Sequence, residues 1–115
     1  MSARILVPLA EGFEEIEAVT VIDVLRRAEL DVVVAGLEPG PVRGSHGIEL
    51  VPDVELAAVD PAGVHVLVLP GGMPGTKHLQ ADERVLELVR HLTAAGRPVG
   101  AICAAPIVLA AAGVA

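Results

Sequence analysis

Residues 4–36 read RILVPLAEGFEEIEAVTVIDVLRRAELDVVVAG, and this run decides the fold. Arg4 to Leu9 is short, continuous and apolar, bounded by Ala10-Glu11-Gly12, which suits a strand buried on both faces of a parallel sheet. From Glu14 to Ala28 the apolar residues recur at Ile16, Val19, Ile22 and at Ala18, Val21, Leu25. Asp23, Arg26 and Arg27 are left for water, so the spacing predicts an amphipathic helix. Asp31 to Gly36 is a second buried strand. Strand, helix and strand joined by connections this short make a right-handed parallel crossover, so the fold class is α/β with a mostly parallel sheet.

Outward from this unit the pattern changes. Leu37 to Pro52 is punctuated by Pro39-Gly40-Pro41, Gly44 and Gly47, while Ile48 to Leu50 alternates like an edge strand, and a small hairpin or loop excursion is expected. Asp53 to Pro61 reads as a linker or a short turn of helix. Val64 to Leu69 is a third strong strand, and it runs into the tight loop Pro70-Gly71-Gly72-Met73-Pro74-Gly75. Asp82 is placed to cap a helix reaching about Ala95, with Val85, Leu88, Val89 and Leu92 toward the sheet and Glu87 within reach of Arg90 or His91. Gly96 ends that helix and Pro98 prevents its resumption. Val99 to Ile102 then forms a short central strand that turns at Cys103 into a helix beginning near Pro106, where proline's missing N–H costs nothing. Residues 1–115 are expected to form one domain. Ile107 to Val114 is apolar on every side, so a helix there needs a cover, from another chain or from more of a longer domain.

With 53% apolar residues and Phe13 as the single aromatic, the core is aliphatic. Eight Lys and Arg against fifteen Asp and Glu give a net charge of −7, with no basic stripe and no aromatics for bases to stack on, which disfavours nucleic acid. No apolar run approaches membrane-spanning length, the first strand follows the N-terminus without a leader, and one cysteine excludes an internal disulfide. A cytoplasmic protein with no membrane partner is the expectation.

In open parallel sheets ligands bind beyond the carboxyl ends of the strands. Glu14, Glu15 and Glu17 follow the first strand, Gly71-Gly72 the third, and Cys103 the last. A thiol at a sharp strand-to-helix corner is presented to solvent, and the helix N-terminus is expected to favour its thiolate. Glu17 shares a stripe with Val21, Val24 and Ala28 that carries it toward the interior or a subunit interface, where a carboxyl can exchange a proton with the thiol. Glu14 and Glu15 read more simply as acids complementing the helix dipole, and Cys103 by itself as a small core residue. Gly71 and Gly72, with the N–H of Ala104, are candidates for an oxyanion hole or merely a tight turn. His46, His65, His78 and His91 have no metal-ligand spacing, so no metal is expected.

Glu11-Gly-Phe-Glu-Glu-Ile-Glu17-Ala-Val, Val68-Leu-Pro-Gly-Gly-Met73 and Ala101-Ile-Cys-Ala-Ala-Pro106, in this order, resemble the ThiJ/PfpI family along essentially the whole chain. The nearest branch is that of the Parkinson-disease protein deglycase and its bacterial YajL-type relatives. The resemblance implies a flavodoxin-like sandwich, a homodimer, Cys103 as nucleophile or oxidisable thiol, Glu17 as its carboxyl partner, and Gly71, Gly72 and Ala104 as oxyanion-binding backbone. It implies glyoxalase or deglycase chemistry without a cofactor on small carbonyls or glycated proteins, or alternatively a redox sensor or chaperone. Ala104 stands where the protease-like branch has histidine, which disfavours a peptidase. Relatives carry a histidine and further strands beyond the nucleophile, so the chain is expected to lack the C-terminal part of the family domain. An inert fragment, with Cys103 as packing only, is the remaining reading.

Overall fold

The computed structural model describes residues 3–103 and 105–114. Its elements run β1 (Arg4–Leu9), α1 (Glu15–Arg27), β2 (Asp31–Gly36), β3 (Val42–Arg43), β4 (Glu49–Leu50), β5 (Val54–Glu55), β6 (Val66–Leu69), α2 (Gly75–Ala81), α3 (Glu83–Ala94), β7 (Val99–Ala101) and α4 (Pro106–Ala112). Five strands form one parallel sheet in the order β5-β2-β1-β6-β7, and β3 and β4 pair as an antiparallel hairpin outside it. No helix is long and apolar enough to cross a membrane among the described residues.

β1 lies at the centre because both of its faces are apolar. Leu6 points into a core shared with Leu67, Leu79, Val85, Val89 and Leu92, on the side of α2, α3 and α4. Ile5, Val7 and Leu9 alternate to the opposite face, against Phe13, Ala18, Val32 and Val34 beside α1. The register Arg4 to Leu9 against Asp31 to Gly36 is continuous, so the crossover read from residues 4–36 closes as expected.

The connections differ from the sequence pattern in two places. Val54 and Glu55, within the expected linker, extend the sheet by pairing with Ala35 and Gly36. Two residues are too few to display a period; the strand is set instead by Asp53, whose Oδ2 accepts the Val34 N–H at 2.8 Å while its own N–H donates to Val34 O at 2.8 Å. The second difference is α2, which starts at Gly75 inside the glycine-proline loop and is held by burial of Thr76 and Leu79. Asp82 caps α3 by accepting the Arg84 N–H at 2.9 Å, and Val85, Leu88, Val89 and Leu92 are buried as the periodicity requires. On α4, Val108 and Ala112 are covered from α2 and α3, whereas Ile107 is 40% exposed.

The end of α1 carries a local conflict. Glu29 adopts φ +64, a left-handed conformation in which a side chain is strained, because the Leu30 N–H reaches back to Leu25 O at 3.2 Å and closes the helix. Glu29→Gly is therefore expected to stabilise the fold by about 1 kcal/mol, read as a higher urea midpoint with an unchanged slope. An unchanged midpoint would mean that this turn carries no strain.

Candidate functional site

The chain leaves β1 toward β2 on one side and later places β6 on the other, so the crevice beyond β1 and β6 is the topological switch point of the sheet. Three loops meet there: the one entering α1, the one leaving β6, and the corner after β7. Cys103 sits at that corner with φ +54, in the left-handed region, with its side chain exposed. A cysteine in this conformation is held by its surroundings rather than by its own preference.

The holding contacts form a closed ring. Glu14 donates its N–H to Gly71 O at 3.0 Å, Gly71 donates its N–H to Glu17 Oε1 at 3.1 Å, and Glu17 donates its N–H to Glu14 Oε2 at 3.2 Å. Cys103 docks onto this ring, its Sγ donating to Glu17 Oε2 at 2.8 Å. Glycine at position 71 is a condition of the arrangement. A Cβ there would lie 2.5 Å from Glu17 Oε1, 2.8 Å from Ile102 O and 3.0 Å from the Cys103 Cβ. Gly72 meets the same constraint with φ +100, packed against the backbone of Phe13 and Glu14.

The electrostatics reverse one expectation. The helix terminus was to favour a thiolate, yet the Cys103 thiol is pushed above its ordinary value. Its hydrogen bond to Glu17 comes first, then burial, then the negative charges of Glu17 and Glu14. The carboxylate is in contact with the sulfur, whereas α4 has only seven residues and contributes a partial charge at its end. The thiol keeps its proton at rest, with an acceptor already in place.

Glu14 and Glu15, grouped in the sequence, have separate tasks. Glu14 caps α1, accepting the N–H groups of Ile16 at 3.1 Å and Glu17 at 3.2 Å. Glu15 is 5% exposed and clamps the β3–β4 hairpin, accepting the N–H of His46 at 2.7 Å and of Ile48 at 3.2 Å, with the His46 Nδ1 at 3.1 Å. Burial pushes its carboxyl up. The hydrogen bonds from Ile48, its own backbone and His46 outweigh that and bring it down from 4.5 to about 2. Gly44 leaves the space, since a Cβ there would stand 2.5 Å from the Glu15 carboxyl carbon. Glu15 is thus more than a dipole complement. Among the described residues Glu14, Glu15 and His46 offer ligand atoms within 4.8 Å of one another, but the Glu15 oxygens are already occupied by the hairpin.

Residues 3–115 match the model of the DJ-1/PfpI family. The chain belongs to this family. It is 45% identical over its whole length to protein dj-1beta of Drosophila melanogaster, of which it spans 62%. The crystal structure of that protein superposes with a TM-score of 0.96 at 44% identity, covering 100% of this chain and 62% of that one. It is 41% identical to glutathione-independent glyoxalase DJR-1.2 of Caenorhabditis elegans, over 98% of this chain and 60% of the relative. Toxoplasma gondii DJ-1, solved in an oxidised form, matches with a TM-score of 0.94 and 38% identity over 98% of this chain and 62% of that one.

Within the family fold, the carboxylate, the glycine turn and the thiol named from the sequence are brought together. Gly71 contributes its N–H to Glu17 rather than to the space above Cys103. Ala104 lies outside the described residues. The stripe through Val21, Val24 and Ala28 does not lead inward, for Val24 is 55% exposed and only Glu17 and Val21 are half-buried. Sequence reasoning missed the Glu15 clamp; the available signal was the Gly44-Ser45-His46-Gly47 turn, whose N–H groups need an acceptor.

Two outcomes follow from these geometries. Because the folded carboxyl of Glu15 is depressed, its contribution to stability is complete above pH 4.5 and lost as pH falls toward about 2. Glu15→Gln is expected to lower the urea midpoint at pH 7, with the gap to the parent narrowing through that window; a gap independent of pH would contradict the clamp. For Cys103, Glu17→Gln removes the adjacent negative charge, so the pH midpoint of its alkylation, read by intact mass, is expected to fall. A rise would mean that the carboxyl donates to a thiolate instead.

Proposed function

We propose that this chain carries the reacting residues of a cysteine-dependent glyoxalase- or deglycase-type site for small reactive carbonyls or their adducts on proteins. The observation that carries it is the 2.8 Å contact from the Cys103 Sγ to Glu17 Oε2 at a strained corner above the switch point of the sheet. A family member named as a glutathione-independent glyoxalase supports the reaction class.

In the first step the Sγ attacks the carbonyl carbon. The S–C bond forms, the C=O π pair moves onto oxygen, and the thiol proton passes to Glu17 Oε2 and then to that oxygen, giving a hemithioacetal. The raised thiol suits this order, since the proton leaves only as the bond forms. Gly72 and Ala104 are proposed as the backbone donors to the developing oxyanion, with Gly71 fixing Glu17 in the ring. No cofactor is needed for the step. Glyoxal consumption is expected to vanish in Cys103→Ala and to fall at least about a hundredfold in Glu17→Gln, with both variants still folded. Turnover that survives Cys103→Ala would refute the assignment.

A second reading, redox sensing through oxidation of Cys103, is favoured by the exposure of the thiol and by a relative solved in an oxidised form. It predicts a sulfinate on Cys103 after peroxide and no product from glyoxal.

The homodimer is proposed on the outer face of α1. Ile16 is 74%, Val24 55% and Val19 42% exposed, and Val51, 80% exposed, lines a groove together with Val19. Exposed apolar side chains gathered on one helix in this number are suited to a second copy. Ile16→Glu with Val24→Glu is expected to yield monomers in analytical ultracentrifugation while the fold is retained. Sedimentation as a dimer would move the interface elsewhere.

A further inference from the structure

We propose that Glu15 is a positioning residue for the Cys103 site: by clamping the β3–β4 hairpin it fixes the first turn of α1, and through that turn it holds the carboxylate of Glu17 against the sulfur. This rests on the reading of Cys103 and Glu17 as the reacting pair and adds the part of the fold that sets their separation.

Residues 12–17 are gripped from two sides. Toward the hairpin, Gly12 donates its N–H to Arg43 O at 2.8 Å and Phe13 O accepts the Ser45 N–H at 2.9 Å. The buried Glu15 carboxylate adds the side-chain part of this grip, accepting the N–H of His46 at 2.7 Å and of Ile48 at 3.2 Å, with the Ser45 hydroxyl at 3.4 Å. Toward the glycine turn, Gly12 O accepts the Gly75 N–H at 3.1 Å and Glu14 donates its N–H to Gly71 O at 3.0 Å. Neighbouring residues thus divide the work. Phe13 and Glu15 hold the hairpin, while Glu14 and Glu17 complete the ring on which the sulfur docks.

The Glu17 carboxylate spans two segments. One oxygen accepts the Gly71 N–H at 3.1 Å in the loop after β6, the other meets the Cys103 Sγ at 2.8 Å, and the backbone that carries both belongs to α1. The short contact therefore persists only while the first turn of α1 stays in place, and a slip of about 1 Å is enough to spoil a reacting geometry. Arg43 and Lys77, the cations nearest in sequence to the hairpin turn and the glycine turn, take no part. Among the described residues the Glu15 and Glu17 carboxylates bond only to backbone N–H groups, Ser45, His46 and Cys103.

Three substitutions weaken the clamp in different ways, and the single thiol reports on each without turnover. Glu15→Gln removes the charge of the acceptor. Gly44→Ala keeps every charge and sets a Cβ 2.5 Å from the Glu15 carboxyl carbon. His46→Ala removes a side chain that is 73% exposed and keeps the backbone N–H. In all three the pH midpoint of Cys103 alkylation, read by intact mass, is expected to fall, by about 0.3 unit or more in the first two and by less than in Glu17→Gln. Charge alone predicts otherwise, since Gly44→Ala alters none and loss of an imidazole, neutral or cationic, leaves the midpoint unchanged or raises it. In a Glu17→Gln background the same substitutions are expected to add less than about 0.1 unit, because they act through the group already removed. Midpoints unmoved in Gly44→Ala and His46→Ala, or shifts that add in full to that of Glu17→Gln, would overturn the proposal and leave Glu15 a role in stability only. Should Gly44→Ala or Glu15→Gln not fold, His46→Ala with its Glu17→Gln double variant decides alone. Glyoxal turnover by the parent forms a separate arm. Shifted midpoints without turnover leave the positioning role standing and refute the enzymatic reading, whereas turnover with unmoved midpoints does the reverse.

Discussion

The contact between the Cys103 sulfur and Glu17 depends on a carboxylate that could not be held there by its own side chain. Glu17 is fixed by the ring through Gly71 and Glu14, and the ring and the sulfur docked on it come from three separate segments of the fold. Glu14 and Glu17 belong to the first turn of α1, Gly71 to the loop after β6, and Cys103 to the corner after β7. Removing one hydrogen bond of the ring loosens both the helix entry and the sulfur, because the groups that cap the helix also orient the acid. The glycine at 71 is the point where these demands meet, since carboxylate, carbonyl and sulfur-bearing side chain all converge on the space a Cβ would fill.

The sheet supplies the rigidity that makes such a ring possible. β1 is buried on both faces, one set of its residues packed toward α2, α3 and α4 and the alternate set toward α1 and Phe13. Its neighbours β2 and β6 are reached in opposite directions, which opens the crevice beyond their carboxyl ends. The site lies there because backbone groups at the ends of buried strands are presented without being consumed by the ladder. Glu15 serves the same construction from the other side. Held ionised and hydrogen-bonded to four groups of the hairpin, it ties the Gly44–Ile48 turn to the first turn of α1.

The site gathers negative charge at a thiol, an arrangement that raises its proton affinity instead of lowering it. That is a workable design where the acceptor of the proton is the same group that holds it. In the proposed reaction the sulfur acts when an electrophile is positioned and its proton moves across the 2.8 Å contact to Glu17.

The sequence by itself determined the elements whose signal is local and repeated. β1, α1, β2 and α3 were legible because burial on two faces or one stripe writes itself into spacing, and Asp82 announced its cap by type and position. The convergence of Glu17, Gly71 and Cys103 followed from the rule that loops at one end of a parallel sheet meet. Only the tertiary structure decided what those residues do to one another. It revealed that the Gly71 N–H serves Glu17, that the thiol is held above its ordinary range, and that Glu15 is a buried clamp rather than a surface acid. It also decided β5 and α2, elements of two and seven residues that are stabilised by partners far along the chain. Periodicity reports which face of an element is buried. Hydrogen-bond direction and the local electric field depend on atoms brought together from distant segments, and no run of neighbouring residues encodes them.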